Sequence, residues 1–157
     1  WNPRAVFIQF GEIFSHWRAR QETPVLATNS LYFLRRYVED SRHINASPIF
    51  VTPMVRRDFR DDGTLDDVLA PYAEAIKAVA AEMQVPVIDL HASSKKLIES
   101  LGPIDSQKFA NTRNDRTHFN ERGARAMLSL VLRDLPMAEP ELAKLLVSPA
   151  LKSNRAH

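Results

Sequence analysis

The sequence predicts an α/β protein of three layers, in which helices cover both faces of a short parallel sheet. Three short apolar runs, each bounded by turn-forming residues, have the character of strands buried on both faces. They are Val6–Phe10, Pro48–Pro53 and Val85–Leu90. Segments with apolar residues at helical spacing separate these runs. Strands that alternate with helices favour a parallel sheet with right-handed crossovers.

The expected helices are marked by their end signals. Thr23 and Pro24 suit a capping hydroxyl followed by a proline in the first turn, and Pro71 marks the first turn of a second helix. A short helix is predicted over Ser93–Leu101, ending at a Gly-Pro pair. Asn120 is expected to cap the next helix, and a last one is expected to start at Pro140.

Length and composition indicate one ordinary globular domain. The chain has 157 residues, of which 45% are hydrophobic and 25% charged. We expect a single domain over residues 1–148 and a frayed tail over 149–157. No run reaches the roughly 18 apolar residues of a membrane span, and Trp1–Gly11 lacks the features of a secretory signal. The compartment stays open.

Charge and cysteine content narrow the possible partners. A net charge of +2 gives little reason to expect binding to nucleic acid. The absence of cysteine excludes disulfides, thiolate ligands and a thiol nucleophile. The histidines show no paired metal-ligand spacing. We therefore expect neither a metal nor another cofactor, and no membrane partner.

The segment Asp115–Asn120 contains the most suggestive chemistry. An aspartate three residues before His118 can accept the imidazole Nδ1–H, which fixes the tautomer and leaves Nε2 free to take a proton. The same spacing recurs at Asp40 and His43, where the end of a predicted helix favours a structural interpretation. Spacing alone is thus a weak signal.

Five stretches together resemble the SGNH (GDSL) hydrolases, especially the rhamnogalacturonan acetylesterase group. In the family's order they are Phe7–Gly11, Leu34–Tyr37, Pro48–Pro53, Val85–Leu90 and Asp115–Asn120. The resemblance implies a flavodoxin-like fold, here truncated to about three strands. It also implies a serine esterase that removes acetyl groups from carbohydrate.

The resemblance transfers some site residues and not others. It makes His118 the general base and Asp115 its orienting carboxylate. The family's Gly-Asp-Ser nucleophile block occurs nowhere in the chain. Where the family has Gly-x-Asn-Asp after a strand, this chain keeps Gly11 but has Ile13 in place of the oxyanion-binding asparagine. Gly11, Arg56 and Arg116 are the expected substrate contacts.

Three functional interpretations follow. The leading one is an SGNH-type esterase fold that lacks its serine and is inactive or nearly so. The second is a working esterase with an unrecognised nucleophile such as Ser15, or one completed by a partner chain. The third is a carbohydrate- or anion-binding module that uses arginines near the cleft: Arg56, Arg57, Arg113 or Arg116.

The truncation also predicts a partner. The family's first strand usually lies beside the equivalent of Val6–Phe10, so its absence leaves an apolar edge with unpaired backbone groups. We expect a homodimer in which two copies of this strand pair, antiparallel across a two-fold axis, or in which the copies exchange the segment around Glu12–Leu31. The expectation fails if the stretch Glu12–Leu31 folds back over the edge.

Overall fold

Three parallel strands form the sheet in the part of the chain that the structure, a computed structural model, describes: residues 3–10 and 24–147. The strands are β1 (Ala5–Gln9), β2 (Ser47–Val51) and β3 (Val87–Ile88), in the spatial order β1-β2-β3. Ile8 pairs with Phe50, and Phe50 pairs in turn with Val87. The predicted α/β class with a short parallel sheet is confirmed.

The described helices alternate with the strands. They are α1 (Pro24–His43), α2 (Ala70–Met83), α3 (Leu90–Asp105), α4 (Glu121–Ala138) and α5 (Pro140–Val147), with a 3₁₀ turn at Ser106–Phe109. Pro71 lies in the first turn of α2, and Asn120 caps α4 by accepting the Gly123 N–H, as predicted. None of these helices has the length and apolar character needed to cross a bilayer.

The third strand and the helix after it differ from the prediction. Only Val87 and Ile88 pair as a strand, because the Asp89 side chain accepts the Ala92 N–H and starts α3 at Leu90. The predicted helix over Ser93–Leu101 was therefore too short at both ends. The helical segment extends to Asp105, although its regular geometry breaks at Gly102 (φ 68°, ψ −177°).

Alternate side chains of the strands pack against helices on opposite faces of the sheet. On one face Ile8 and Phe50 contact α1 and α2 through residues such as Leu34 and Ile76. On the other face Ile49, Val51 and Ile88 pack with residues of α4 and α5. Phe50 and Ile49 are fully buried on the two sides of the same strand. This is the predicted three-layer arrangement.

The carboxyl ends of the strands lie at one end of the sheet. The Gln9 side chain donates to the Thr52 carbonyl (3.2 Å), and the Thr52 hydroxyl donates to Asp89 (2.9 Å), which links the three strand ends. The predicted cap Thr23, Gly11, Ser15 and the tail 149–157 lie outside the described residues. The domain limits stay a prediction.

Candidate functional site

The side chains of Asp115 and His118 are hydrogen-bonded to each other within one tight turn. One carboxylate oxygen, Oδ1, accepts the backbone N–H groups of Thr117 and His118, both at 2.9 Å. The other, Oδ2, lies 3.1 Å from the imidazole Nδ1. The Asp115 side chain is 15% exposed and that of His118 77%. The carboxylate is thus held from three directions, while the imidazole projects into solvent.

This geometry defines what the imidazole can do. A carboxylate has no proton to donate at neutral pH, so Nδ1 carries the hydrogen in the contact with Oδ2. Among the described residues no group bonds to Nε2 of His118. That nitrogen is therefore available as a proton acceptor, and Asp115 is placed to stabilise the imidazolium that results.

The same hydrogen bonds hold the pKa of Asp115 below its ordinary value. The backbone N–H of His118 contributes most, followed by that of Thr117; burial opposes the shift, and the His118 side chain adds to it. A carboxyl whose pKa is lower in the folded than in the unfolded chain stabilises the fold above the unfolded value. That contribution is lost as the pH falls through the folded pKa.

We therefore expect Asp115→Asn to destabilise the chain at neutral pH and to do so progressively less in acid. Urea unfolding midpoints of wild type and variant, measured from pH 7 down to below about pH 4, the ordinary range of Asp, should converge. Asp61→Asn, on an exposed loop, controls for the loss of one negative charge. A gap between wild type and Asp115→Asn that is independent of pH would contradict the expectation.

Backbone contacts from the preceding segment support the turn. The His118 carbonyl accepts the Asn111 N–H (3.1 Å), and the Asn120 N–H donates to the Phe109 carbonyl (2.9 Å). The Asn120 amide also donates to the carbonyls of Lys108 and Ala110. One side chain therefore both caps α4 and ties the turn to the 3₁₀ segment before it.

The predicted substrate-binding residues differ in how close they lie to His118 along the chain and in whether the structure describes them. Arg116 lies on the same turn as His118, but its guanidinium pairs with Asp58 of the loop after β2. Arg56 is half-buried near the end of β2, and Arg113 is exposed. Gly11 lies outside the described residues. The structure thus brings Asp115, His118 and Arg116 into one turn, with Arg116 already engaged by an acid.

The other Asp–x–x–His sequence does not form a pair. Asp40 lies 3.1 Å from Arg36 one turn earlier on α1, and His43 is exposed at the end of that helix. Asp40 is engaged by Arg36, and the structural interpretation of this copy stays a prediction. Spacing alone did not distinguish the two sequences; their local backbone conformation does.

A second histidine–carboxylate contact is buried and was not predicted. His91, 7% exposed, lies with Nδ1 3.3 Å from the Pro53 carbonyl and Nε2 3.1 Å from Asp67. Lys95 also binds that Asp67 oxygen (2.9 Å). Because both ring nitrogens are engaged, His91 has a structural role. Asp67 and His91 are 24 residues apart, so no sequence spacing indicated the contact.

Asp89 has a structural role as well. Burial raises the pKa of Asp89. The Ala92 N–H, the Thr52 hydroxyl and Lys77 together lower it by more, so the pKa lies below its ordinary value. No group of three or more potential ligands suited to a metal ion occurs in residues 3–10 and 24–147. Among the histidines of the described part, His118 alone combines an oriented ring with an exposed nitrogen.

Comparison with known proteins identifies relatives of one type. The chain is 37% identical over 111 residues to the rhamnogalacturonan acetylesterase RhgT of Bacillus subtilis (strain 168), which covers 63% of this chain and 48% of the relative. It is 27% identical over 133 residues to YesY, a probable rhamnogalacturonan acetylesterase of the same organism, covering 83% and 61%. No family model matches. The chain thus spans about half the length of these curated relatives.

Solved structures show the same fold. The Bacillus subtilis protein YxiM superposes with a TM-score of 0.70 at 24% identity, over 83% of this chain and 36% of that one. A catalytic mutant of Axe2, an acetylxylan esterase from Geobacillus stearothermophilus, superposes with a TM-score of 0.64 at 19% identity, over 85% and 60%.

Proposed function

Because the chain belongs to the SGNH (GDSL) hydrolase superfamily and is rhamnogalacturonan acetylesterase-like, we propose that it carries the proton-transfer half of a carbohydrate acetylesterase site. His118 is the general base and Asp115 orients it. The substrate class is an acetyl ester of a carbohydrate hydroxyl. The observation that carries the proposal is the Asp115–His118 pair, with Nδ1 held 3.1 Å from Oδ2 and Nε2 exposed.

The chemistry follows from these two side chains. In a serine esterase of this kind, Nε2 takes the hydroxyl proton as the serine oxygen attacks the acetyl carbonyl carbon. The imidazolium returns that proton to the sugar oxygen when the carbon–oxygen bond breaks. Water then attacks the acetyl-enzyme with the same nitrogen as base, which releases acetate and restores the serine.

The 157 residues do not contain the other half of this site. Gly-Asp-Ser is absent, and Ile13 stands where an asparagine would help to bind the oxyanion. Removing one oxyanion donor typically lowers turnover by about 10²–10³, and without a nucleophile covalent catalysis is lost altogether. We therefore propose that this polypeptide by itself is inactive or very weakly active.

The first test measures hydrolysis of p-nitrophenyl acetate by the 157-residue chain. We expect a rate no greater than that of free imidazole at the same concentration, and no change of rate in His118→Ala. Turnover well above that background which disappears in His118→Ala would overturn the proposed inactivity and favour an unrecognised nucleophile.

A serine-directed phosphonate probe distinguishes the alternatives. We expect no labelled serine after peptide mapping of the isolated chain. Labelling of Ser15, or of another serine, in wild type but not in His118→Ala would identify the nucleophile and support a working esterase.

A second candidate is an esterase completed by another polypeptide segment that supplies a Gly-Asp-Ser. The exposed His118 Nε2 and the β1 edge, which carries no further strand in the described sheet, favour it. Another copy of this chain would not complete the site, because it also lacks that block.

A further inference from the structure

Arg57 is a buried arginine at the base of the Asp115–His118 turn. It follows β2 by six residues and is among the largest side chains with no exposed surface. Its backbone N–H donates to the carbonyl of Arg116 at 2.9 Å, so the segment after β2 runs alongside the turn. The backbone of Arg57 is therefore tied directly to the turn.

One nitrogen of this guanidinium bridges the two ends of the turn. Nη2 donates to the carbonyl of Asp115 at 2.9 Å and to that of His118 at 2.8 Å. The guanidinium carbon lies 4.3 Å from the centre of the Phe119 ring, a cation–π contact that fixes the plane of the group. Carbonyls three residues apart in the chain thus converge on one donor.

Stability alone does not account for this arrangement. Nε and Nη1 of Arg57 are buried and have no hydrogen-bond partner among the described residues. No carboxylate of the described residues forms a direct ion pair with the Arg57 guanidinium. Burial lowers the pKa of Arg57, and the nearby charge of Asp115 only partly opposes that effect. Replacing buried charged groups by well-packed apolar residues is often neutral or stabilising.

We propose that Arg57 is a positioning residue for the Asp115–His118 pair. By holding both carbonyls, it keeps the turn at the width at which Nδ1 of His118 faces Oδ2 of Asp115. Its positive charge also favours the ionised carboxylate that accepts the Nδ1 hydrogen. The inference rests on the proposed function for its catalytic meaning, but the geometric claim is testable without ester turnover.

The test follows the imidazole tautomer of His118 by two-bond ¹H–¹⁵N correlation spectra of ¹⁵N-labelled chain, in buffer alkaline enough to keep the ring neutral. His118→Gln assigns the signals. In wild type we expect the hydrogen on Nδ1. In Arg57→Met we expect the tautomer ratio to shift about tenfold toward Nε2–H, equivalent to about 1.4 kcal/mol.

Arg60→Met is the matched control, since Arg60 is three residues further along, exposed, and paired with Asp66 rather than with the turn. It should leave the tautomer unchanged. Arg57→Lys keeps the charge but loses the planar group, and we expect an intermediate ratio. A wild-type ratio in folded Arg57→Met would overturn the proposal.

If Arg57→Met does not fold, Arg57→Lys decides. A lower Nδ1–H fraction in that folded variant supports positioning, whereas the wild-type fraction overturns it. These outcomes are independent of the proposed function, because an unexpected nucleophile would change the p-nitrophenyl acetate assay without altering the tautomer experiment.

Discussion

Gly123→Ala is expected to destabilise the chain, although alanine is the better helix former. Gly123 lies in the first turn of α4, where its N–H bonds to the Asn120 cap at 2.9 Å. A Cβ there would lie 2.5 Å from the Phe119 ring, and 2.9 Å from both the Cβ and the backbone oxygen of Phe109. The ring can move, but the oxygen belongs to the backbone that supports the turn.

Two opposing contributions set the size of the effect. The higher helix propensity of alanine is worth at most about 1 kcal/mol, and overpacking of this kind costs typically about 1–3 kcal/mol. We expect urea unfolding to show a net loss of about 1–2 kcal/mol from these two contributions. Phe119 should shift as well, which would disturb the ring on which Arg57 stacks.

Ala124→Gly serves as the comparison, because Ala124 is the exposed neighbour of Gly123 on the same helix. It measures the propensity contribution without the steric one and should also be destabilising, by up to about 1 kcal/mol. If propensity governs the site, Gly123→Ala will instead be stabilising by a similar amount, and the packing argument is wrong.

The second large effect concerns the outer edge of β1, which carries no further strand in the described sheet. We propose that the 157-residue chain forms a homodimer by antiparallel pairing of two β1 strands across a two-fold axis. The backbone carbonyl of Arg4 accepts the Ser47 N–H and so faces β2. Because backbone groups alternate along a strand, those of Ala5, Phe7 and Gln9 point to the opposite edge. The Phe7 side chain is 47% exposed, which leaves apolar surface beside those groups.

Sedimentation at micromolar concentration should show a dimer of the 17.9 kDa chain. In a pairing centred on Phe7, the middle residue of β1, Phe7→Lys places like charges close together and should raise the dissociation constant about a hundredfold or more. Phe33→Lys is the control, since Phe33 is similarly exposed (55%) but lies on α1. A well-folded wild-type monomer would reject the dimer and indicate that another segment covers the edge.

A strand could be predicted where an apolar run in the sequence coincides with a strand that is buried on both faces. The run Pro48–Pro53 is apolar because β2 is the central strand and buries side chains on both faces. The run Val85–Leu90 looks similar in sequence, yet only two of its residues pair as strand. Asp89 accepts hydrogen bonds from the Thr52 hydroxyl and the Ala92 N–H, and so begins a helix inside an apolar run. That competition depends on Thr52, which is remote in sequence.

In the candidate site, too, the sequence indicated the contacts between residues close in the chain but not those between distant ones. Asp115 and His118 were found because their contact lies within three residues of sequence and five stretches resembled one family. Arg57 was considered only as a possible anion contact, because its hydrogen bonds to the turn span 58 and 61 residues. No periodicity or spacing could indicate them. Whether these residues act in catalysis stays a prediction.

Asp115 and His118 are close in sequence, whereas Arg57 is far from both. This contrast has a consequence for the order of folding. A loop of three residues closes with little loss of chain entropy, so the aspartate and the histidine can meet in a nascent turn long before the sheet exists. The guanidinium can bridge that turn only after the central strand has docked. The acid–base pair should therefore appear early as a fluctuating contact and become rigid among the last events of folding.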